Sequence, residues 1–440
     1  MFVVSDTCFN FPESYGKKFI RGIISLLLAV LFLSPQTGNA AVETFNENEL
    51  RKAAEAGDTD AQLLLGTYYF NQSSQETTAD YERACHWFRQ AANADHPEGM
   101  YNLAVCLENG FGVNADKQEA LRLYRLAGAR GLLPARMQAA LLALELDASP
   151  EGMDAVLDEL HALAAIPYPP ALNELGKISA AAAEAAKAAG DPVSAEKYYG
   201  EAIVFYSSAA DAGFVPACRN AARLILETGS APAKAREYLL AAAMQNDSEA
   251  MAQLAFCMEN GIGSEGSEDM AEIKRLYEQA AAAGNPAALL RLGEMLLEGA
   301  ETTPPDPEKA FEYFTQASES GHPAAALRLG ICYANGQGTE KNIQKAAEYF
   351  LIAARADIRE AQFNLACLFF KGDGLPKDDS AAFYWFRRAA GNGDIRACRQ
   401  TAYCCFNGIG TKRDDAEGIK WLTEAAARGD TEAKKLLTGE

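Results

Sequence analysis

Apolar residues recur along this chain at helical spacing, in pairs of short blocks separated by small polar loops. The stretch from Arg359 to Ala390 shows the unit most clearly. Ala361, Leu365, Ala366 and Leu368 mark one face of a first helix. Gly372 and Gly374 end it, and Asp378 starts a second helix whose apolar face is Trp385, Phe386, Ala389 and Ala390. The unit begins again at Ala397, so internal repetition governs the fold.

An alanine or glycine opens each first helix. The column reads Ala61, Gly99, Ala135, Ala171, Ala217, Ala250, Ala288, Ala325, Ala361, Ala397 and Ala433. Most carry a leucine four positions on, then a small residue such as Gly66, Gly176, Gly293, Gly330 or Ala366. Glycine inside a helix costs about 1 kcal/mol relative to alanine, so a close helix approach is expected there. Bulky pairs stand on the second helices: Trp87-Phe88, Leu123-Tyr124, Phe205-Tyr206, Leu276-Tyr277, Tyr313-Phe314, Tyr349-Phe350 and Trp385-Phe386. Large and small residues in register predict ridge-into-groove packing of antiparallel helices, with the aromatics in the core. Asp80, Asp116, Asp269, Asp306, Asn342, Asp378 and Asp414 are expected to start second helices, because their side chains cap free backbone N–H groups.

This pattern predicts an all-α, right-handed α-solenoid of about ten antiparallel helix pairs with half-repeat caps. Residues 41–56 form an N-terminal capping helix, 57–134 repeats one and two, and 135–249 three degenerate repeats. Residues 250–430 form repeats six to ten and 431–440 a C-terminal capping helix. The degenerate region lacks the loop glycines and aromatic pair in repeat three. Its fourth repeat is about ten residues longer than the norm, which predicts two longer helices.

Residues 1–40 read as a signal peptide. Lys17, Lys18 and Arg21 precede an apolar run from Ile23 to Leu33, and small residues follow, with cleavage expected after Ala40. An exported protein, periplasmic or extracellular, is therefore expected, with no membrane insertion once the signal is removed. The chain carries 60 acidic and 40 basic residues, a formal net charge of -20. Such a surface repels phosphate backbones and anionic lipid, so nucleic acid is not an expected partner. Nine of the 10 cysteines lie beyond the signal peptide. Cys106, Cys257, Cys332 and Cys404 share one column with Tyr68, Ile178 and Met295, which reads as a packing position for buried thiols. An odd count still leaves room for a bridge, and Cys398 with Cys404 or Cys405 is the first pair to check.

The unit A-xxx-LG-xx-Y-xx-G-xG, then D-xx-KA-xx-WF-xx-AA-xx-G, resembles the Sel1-like repeat, a relative of the tetratricopeptide repeat. The resemblance covers nearly all of 47–437 and is strongest in repeats one, two and six to ten. It implies a superhelix of helix pairs and a role in protein–protein interaction. Secreted members carry paired cysteines that bridge helices, but here Cys218 and Cys398 face Ala210 and Ala390 at the partner positions.

The position three after each opening residue is polar in nine of ten repeats, with Asn102, Gln253, Arg291, Arg328, Asn364 and Gln400 its candidate contact residues. In related arrays first helices line the concave face, so this column resembles a groove for a protein or peptide. Amides there suit an extended backbone, and Arg291 and Arg328 suit a carboxylate. The bland alternative is a ladder of side chains bonded between repeats. No His/Cys cluster has metal-ligand spacing, no serine sits in a nucleophile elbow, and the paired loop glycines follow a helix rather than a strand. No metal, no cofactor and no catalysis are therefore expected, and the protein is expected to be a monomeric scaffold. A second reading is an envelope-assembly or polysaccharide-export accessory factor, or a hydrolase acting on cell-wall or antibiotic substrates.

Overall fold

The computed structural model describes residues 47–72, 78–166, 168–264, 269–299 and 304–438. The expected signal peptide, its cleavage point and Cys8 lie outside the described residues. Among those described there are 22 helices and no strands. They divide into two compact units, one ending at Ser230 and the other beginning at Ala231.

In the first unit the chain runs through α1 (Glu47–Glu55), α2 (Thr59–Gln72), α3 (Thr78–Asn93), α4 (Pro97–Asn109), α5 (Lys117–Ala129), α6 (Leu133–Leu146), α7 (Pro150–Ala165), α8 (Pro169–Ala188), α9 (Pro192–Asp211) and α10 (Val215–Thr228). The second unit continues with α11 (Pro232–Ala243), α12 (Ser248–Glu259), α13 (Met270–Ala282), α14 (Pro286–Glu298), α15 (Pro307–Glu319), α16 (Pro323–Asn335), α17 (Ile343–Arg355), α18 (Arg359–Lys371), α19 (Asp379–Gly391), α20 (Ile395–Asn407), α21 (Asp415–Ala427) and α22 (Thr431–Thr438). Within each unit every helix packs chiefly on its neighbours in sequence, the signature of an α-solenoid. The long fourth repeat takes the form of two 20-residue helices, α8 and α9.

Local chemistry fixes the helix ends. Asp116, Asp306, Asn342, Asp378 and Asp414 accept a hydrogen bond from the N–H three residues on. Asp80 does not start its helix, because α3 begins two residues earlier at Thr78. Prolines at 97, 286, 307 and 323 occupy the first helical turn, where a missing N–H costs nothing. Gly110, Gly336, Gly372 and Gly408 close first helices in the left-handed region and donate to the carbonyl four residues back.

The second member of each bulky pair is core, whereas Trp87, Phe205, Tyr313 and Tyr349 are half-buried. Phe88, Tyr124, Tyr206, Tyr277, Phe314, Phe350 and Phe386 are each at most 3% exposed. The small residue on the first helix is what each ring rests on. A Cβ at Gly293 would stand 2.5 Å from the Phe314 ring, and one at Gly330 the same distance from Phe350. The second loop glycine has a different task. Gly338 is at φ 68°, and a Cβ there would overlap the Pro307 carbonyl at the start of α15, one repeat back. The doublet is thus a cap followed by an inter-repeat contact.

Candidate functional site

The polar column on the first helices separates into a closed stretch and an open one. All six candidate residues are half-buried. Arg291 on α14 donates through Nε and Nη2 to Glu259, the last residue of α12, at 2.9 and 2.7 Å from Oε1. Its Nη1 reaches Glu294 at 3.2 Å and Glu298 at 3.4 Å. Arg328 on α16 donates to Glu294 Oε1 through Nε and Nη2 at 2.9 and 2.6 Å. The Tyr277 hydroxyl on α13 donates to Glu259 at 3.0 Å. One acid–base chain therefore runs from Tyr277 through Glu259, Arg291 and Glu294 to Arg328. The hydrogen bond that Arg291 donates to Glu259 raises the pKa of Arg291, and burial followed by the Glu259 charge raises that of Tyr277. The two arginines do hold carboxylates, but carboxylates of this chain. Glu294 stands between the cations and removes their mutual repulsion.

Gln253 is also engaged, donating to Glu249 at 2.9 Å, and Asn285 donates to the same carboxylate at 2.9 Å. The side chains of Asn102, Asn364 and Gln400 make no hydrogen bond to another described residue. Asn364 on α18 and Gln400 on α20 occupy the same place in consecutive repeats. One helical turn on, at i+3, stand half-exposed Cys367 and exposed Tyr403 (49%). Phe256 (54% exposed) holds that place on α12. The outward-facing aromatics at the next turn of the same face were readable from spacing alone, since i and i+3 share a face.

The degenerate repeats carry polar groups inward. Glu174, the member of the column on α8, is 2% exposed, and its Oε1 accepts from Lys177 at 2.7 Å and Asn173 at 3.3 Å. Asn220 on α10 donates to Asn173 at 2.9 Å, an inter-repeat amide bond. Burial raises the Glu174 pKa against the lowering pull of Lys177. A groove of about 690 Å³ also opens along α5, α6 and α7. Ala139, Ala140, Ala143 and Leu121 floor it. On one side Arg136 donates to Glu159 at 2.7 Å, and Arg125 on the rim has no ion-pair partner among the described residues.

Burial pushes the Cys332, Cys404 and Cys405 thiols up to about 11, which leaves them unreactive near neutral pH. Cys398 donates to the Ala390 carbonyl at 3.8 Å. Among the described residues no group of three or more His, Cys, Asp or Glu side chains is placed to hold a metal ion. No described helix is long and apolar enough to cross a membrane.

Stacked antiparallel helix pairs with a small-residue column against an aromatic column define an α-solenoid repeat protein of the tetratricopeptide kind. The Sel1 repeat family matches residues 59–96, 97–132, 215–247, 248–285, 286–322, 323–358, 359–394 and 395–430, and the chain belongs to that family. The segment 215–247, grouped above with the irregular middle, is among them. Sel1 repeats are generally scaffolds for protein interaction. Among solved structures the chain is similar to c5321, a protective antigen of uropathogenic Escherichia coli with an SLR fold (26% identity, 89% of each chain, TM-score 0.47). It is also similar to a Sel1 repeat protein from Oxalobacter formigenes (25% identity, 56% of this chain and 96% of that one, TM-score 0.45). DAP3-binding cell death enhancer 1 of Rattus norvegicus is 32% identical over 87 residues, 20% of this chain, and the chain spans only 16% of the length of that relative.

Proposed function

We propose that this protein is a non-catalytic scaffold that binds a protein or peptide on the first-helix face of its second unit, in the cell envelope or outside the cell. The observation that carries the reading is the pair Asn364 and Gln400. These half-buried amides share one face of consecutive first helices and bond to no other side chain, beside exposed Tyr403. A half-buried amide with no internal partner is free to exchange water for the hydrogen bonds of an extended peptide backbone. The charged stretch at Arg291 and Arg328 is already satisfied internally, so it supplies alignment of the repeats and only secondary contact. The export assignment rests on Lys17, Lys18, Arg21 and the apolar run that follows them.

The test is affinity capture from extracts of the source cells with three baits: the wild type, Asn364→Ala with Gln400→Ala, and Ala143→Phe, which fills the α5–α7 groove. Circular dichroism confirms that all are folded. A discrete protein retained by the wild type and by Ala143→Phe, and lost by the double variant, supports the amide face. Loss with Ala143→Phe alone moves the binding face to the groove and overturns the reading.

A further inference from the structure

The groove along α5, α6 and α7 lies wholly in the first unit, and the antiparallel run of these helices gives it two unlike ends. Arg136 of α6 marks one end. A Cβ at Gly128 of α5 would stand 2.8 Å from the Arg136 side chain, and Arg136 donates to Glu159 of α7 at 2.7 Å. Arg125, one turn before Gly128, lines the groove there. The turn between α6 and α7 marks the other end. Lys117 at the start of α5 bonds to Glu145 near the end of α6, and a Cβ at Gly152 of α7 would meet the Asp147 carbonyl at 2.4 Å. Asp147 and Glu151 line this end. Glu159 already neutralises Arg136. Arg125, Asp147 and Glu151 are exposed and form no ion pair among the described residues. Apolar Leu121, Ala143 and Val156 lie between the two ends, with the Gln118 amide on the α5 wall and no aromatic ring in the lining. At 1.5 Å per residue from Arg136 to Leu146, the ends are about 15 Å apart.

We propose that this groove binds a short apolar peptide with free ends, its carboxylate at Arg125 and its ammonium at Asp147 and Glu151. The charge pattern selects such a ligand: an anion at one end, a cation at the other, and apolar side chains between them. An extended chain covers about 3.3–3.6 Å per residue, so a peptide of about four residues spans the two ends. The groove volume of about 690 Å³ falls in the range of about 300–1,000 Å³ that suits a ligand of that size. Leu121, Ala143 and Val156 receive the side chains. The Gln118 side chain makes no hydrogen bond to another described residue, which leaves it to bond to a peptide group. The Arg125 guanidinium suits a carboxylate through two parallel N–H bonds. A peptide laid in the reverse direction meets a like charge at each end, so the groove also fixes polarity. This site is separate from the first-helix face of the second unit and does not depend on it.

The experiment is isothermal titration calorimetry of the full chain with a tetrapeptide of leucine and valine, free at both ends. One saturable site is expected. The N-acetylated and the C-amidated peptides should each bind about two- to fivefold more weakly, the range of a solvent-exposed ion pair. Variants then assign the ends. Arg125→Ala should weaken the free peptide by that factor and leave the amidated one unaffected. Asp147→Asn with Glu151→Gln should weaken the free peptide and leave the acetylated one unaffected. Ala143→Phe, shown to be folded by circular dichroism, should abolish binding of all three peptides. Absence of saturation with millimolar peptide overturns the proposal. So does an equal loss for free and blocked peptides in the charge variants, or undiminished binding by Ala143→Phe.

Discussion

The eighth repeat, α16 with α17, and the third, α6 with α7, share one topology and differ in how they are closed. In the eighth, Phe350 enters the space left by Gly330, and both are buried. In the third, Leu160 and Ala140 hold the equivalent places and Glu159 stands where the outer aromatic would be. Leu160 is fully buried, yet the surface beside it keeps the 690 Å³ groove floored by alanines. In the eighth repeat the ring fills the seat on the glycine, whereas in the third the leucine beside an alanine accompanies an open recess.

The largest effect comes from removing a seal. Phe350→Ala should cost about 3–5 kcal/mol, with loss of amide protection concentrated in α16 to α18, read by hydrogen exchange and urea denaturation. A cost below about 1 kcal/mol would show that the ring does not close the repeat. Next comes the loop doublet. Gly338→Ala should cost about 2–4 kcal/mol, combining left-handed strain with displacement of the Pro307 backbone. Gly336→Ala should cost about 1 kcal/mol, because it carries the strain alone. There the nearest atom to a Cβ is Lys341 Cβ at 3.5 Å. Equal costs would remove the second glycine from inter-repeat packing.

The columns were legible in the sequence because a repeat displays the same packing position ten times. Gly293, Gly330 and their rings announce one another at fixed spacing. The caps were legible for the same reason, apart from Asp80, where α3 starts a little early. The side-chain pairings were less legible. Arg291 and Arg328 look like adjacent free cations in their column, and only the stacking of α12, α14 and α16 brings Glu259 to Arg291 and sets Glu294 between the two. Long-range pairings depend on the rotation between repeats, which periodicity does not encode.

Glu174 sharpens the contrast from the irregular side. Its folded pKa is raised by burial above the ordinary 4.5. A raised carboxyl pKa means that the folded state holds the proton more tightly. Its favourable contribution is then complete below 4.5 and is lost as pH climbs through the folded value. Glu174→Gln should accordingly raise the Tm at pH 7, by less than either loss above. The gain should vanish on acidification below 4.5, as followed by melting across a pH series. A variant less stable than wild type at pH 7 would show that the Lys177 pair outweighs burial.

The smallest effect is expected in the regular block, at the end of the acid–base chain. Arg328 is 40% exposed, and Glu294 keeps Arg291 when Arg328 is removed. Arg328→Ala should therefore cost at most about 1 kcal/mol, and the cost should shrink as salt is added. Asn364→Ala with Gln400→Ala should leave stability unchanged within about 0.5 kcal/mol, since neither amide bonds to a neighbour. The two small stability effects divide sharply in capture. The amide variant should lose the partner, and Arg328→Ala should keep it. If Arg328→Ala also releases the partner at unchanged stability, the charged chain is not closed on itself, and the binding face extends along the first helices from α16 to α20.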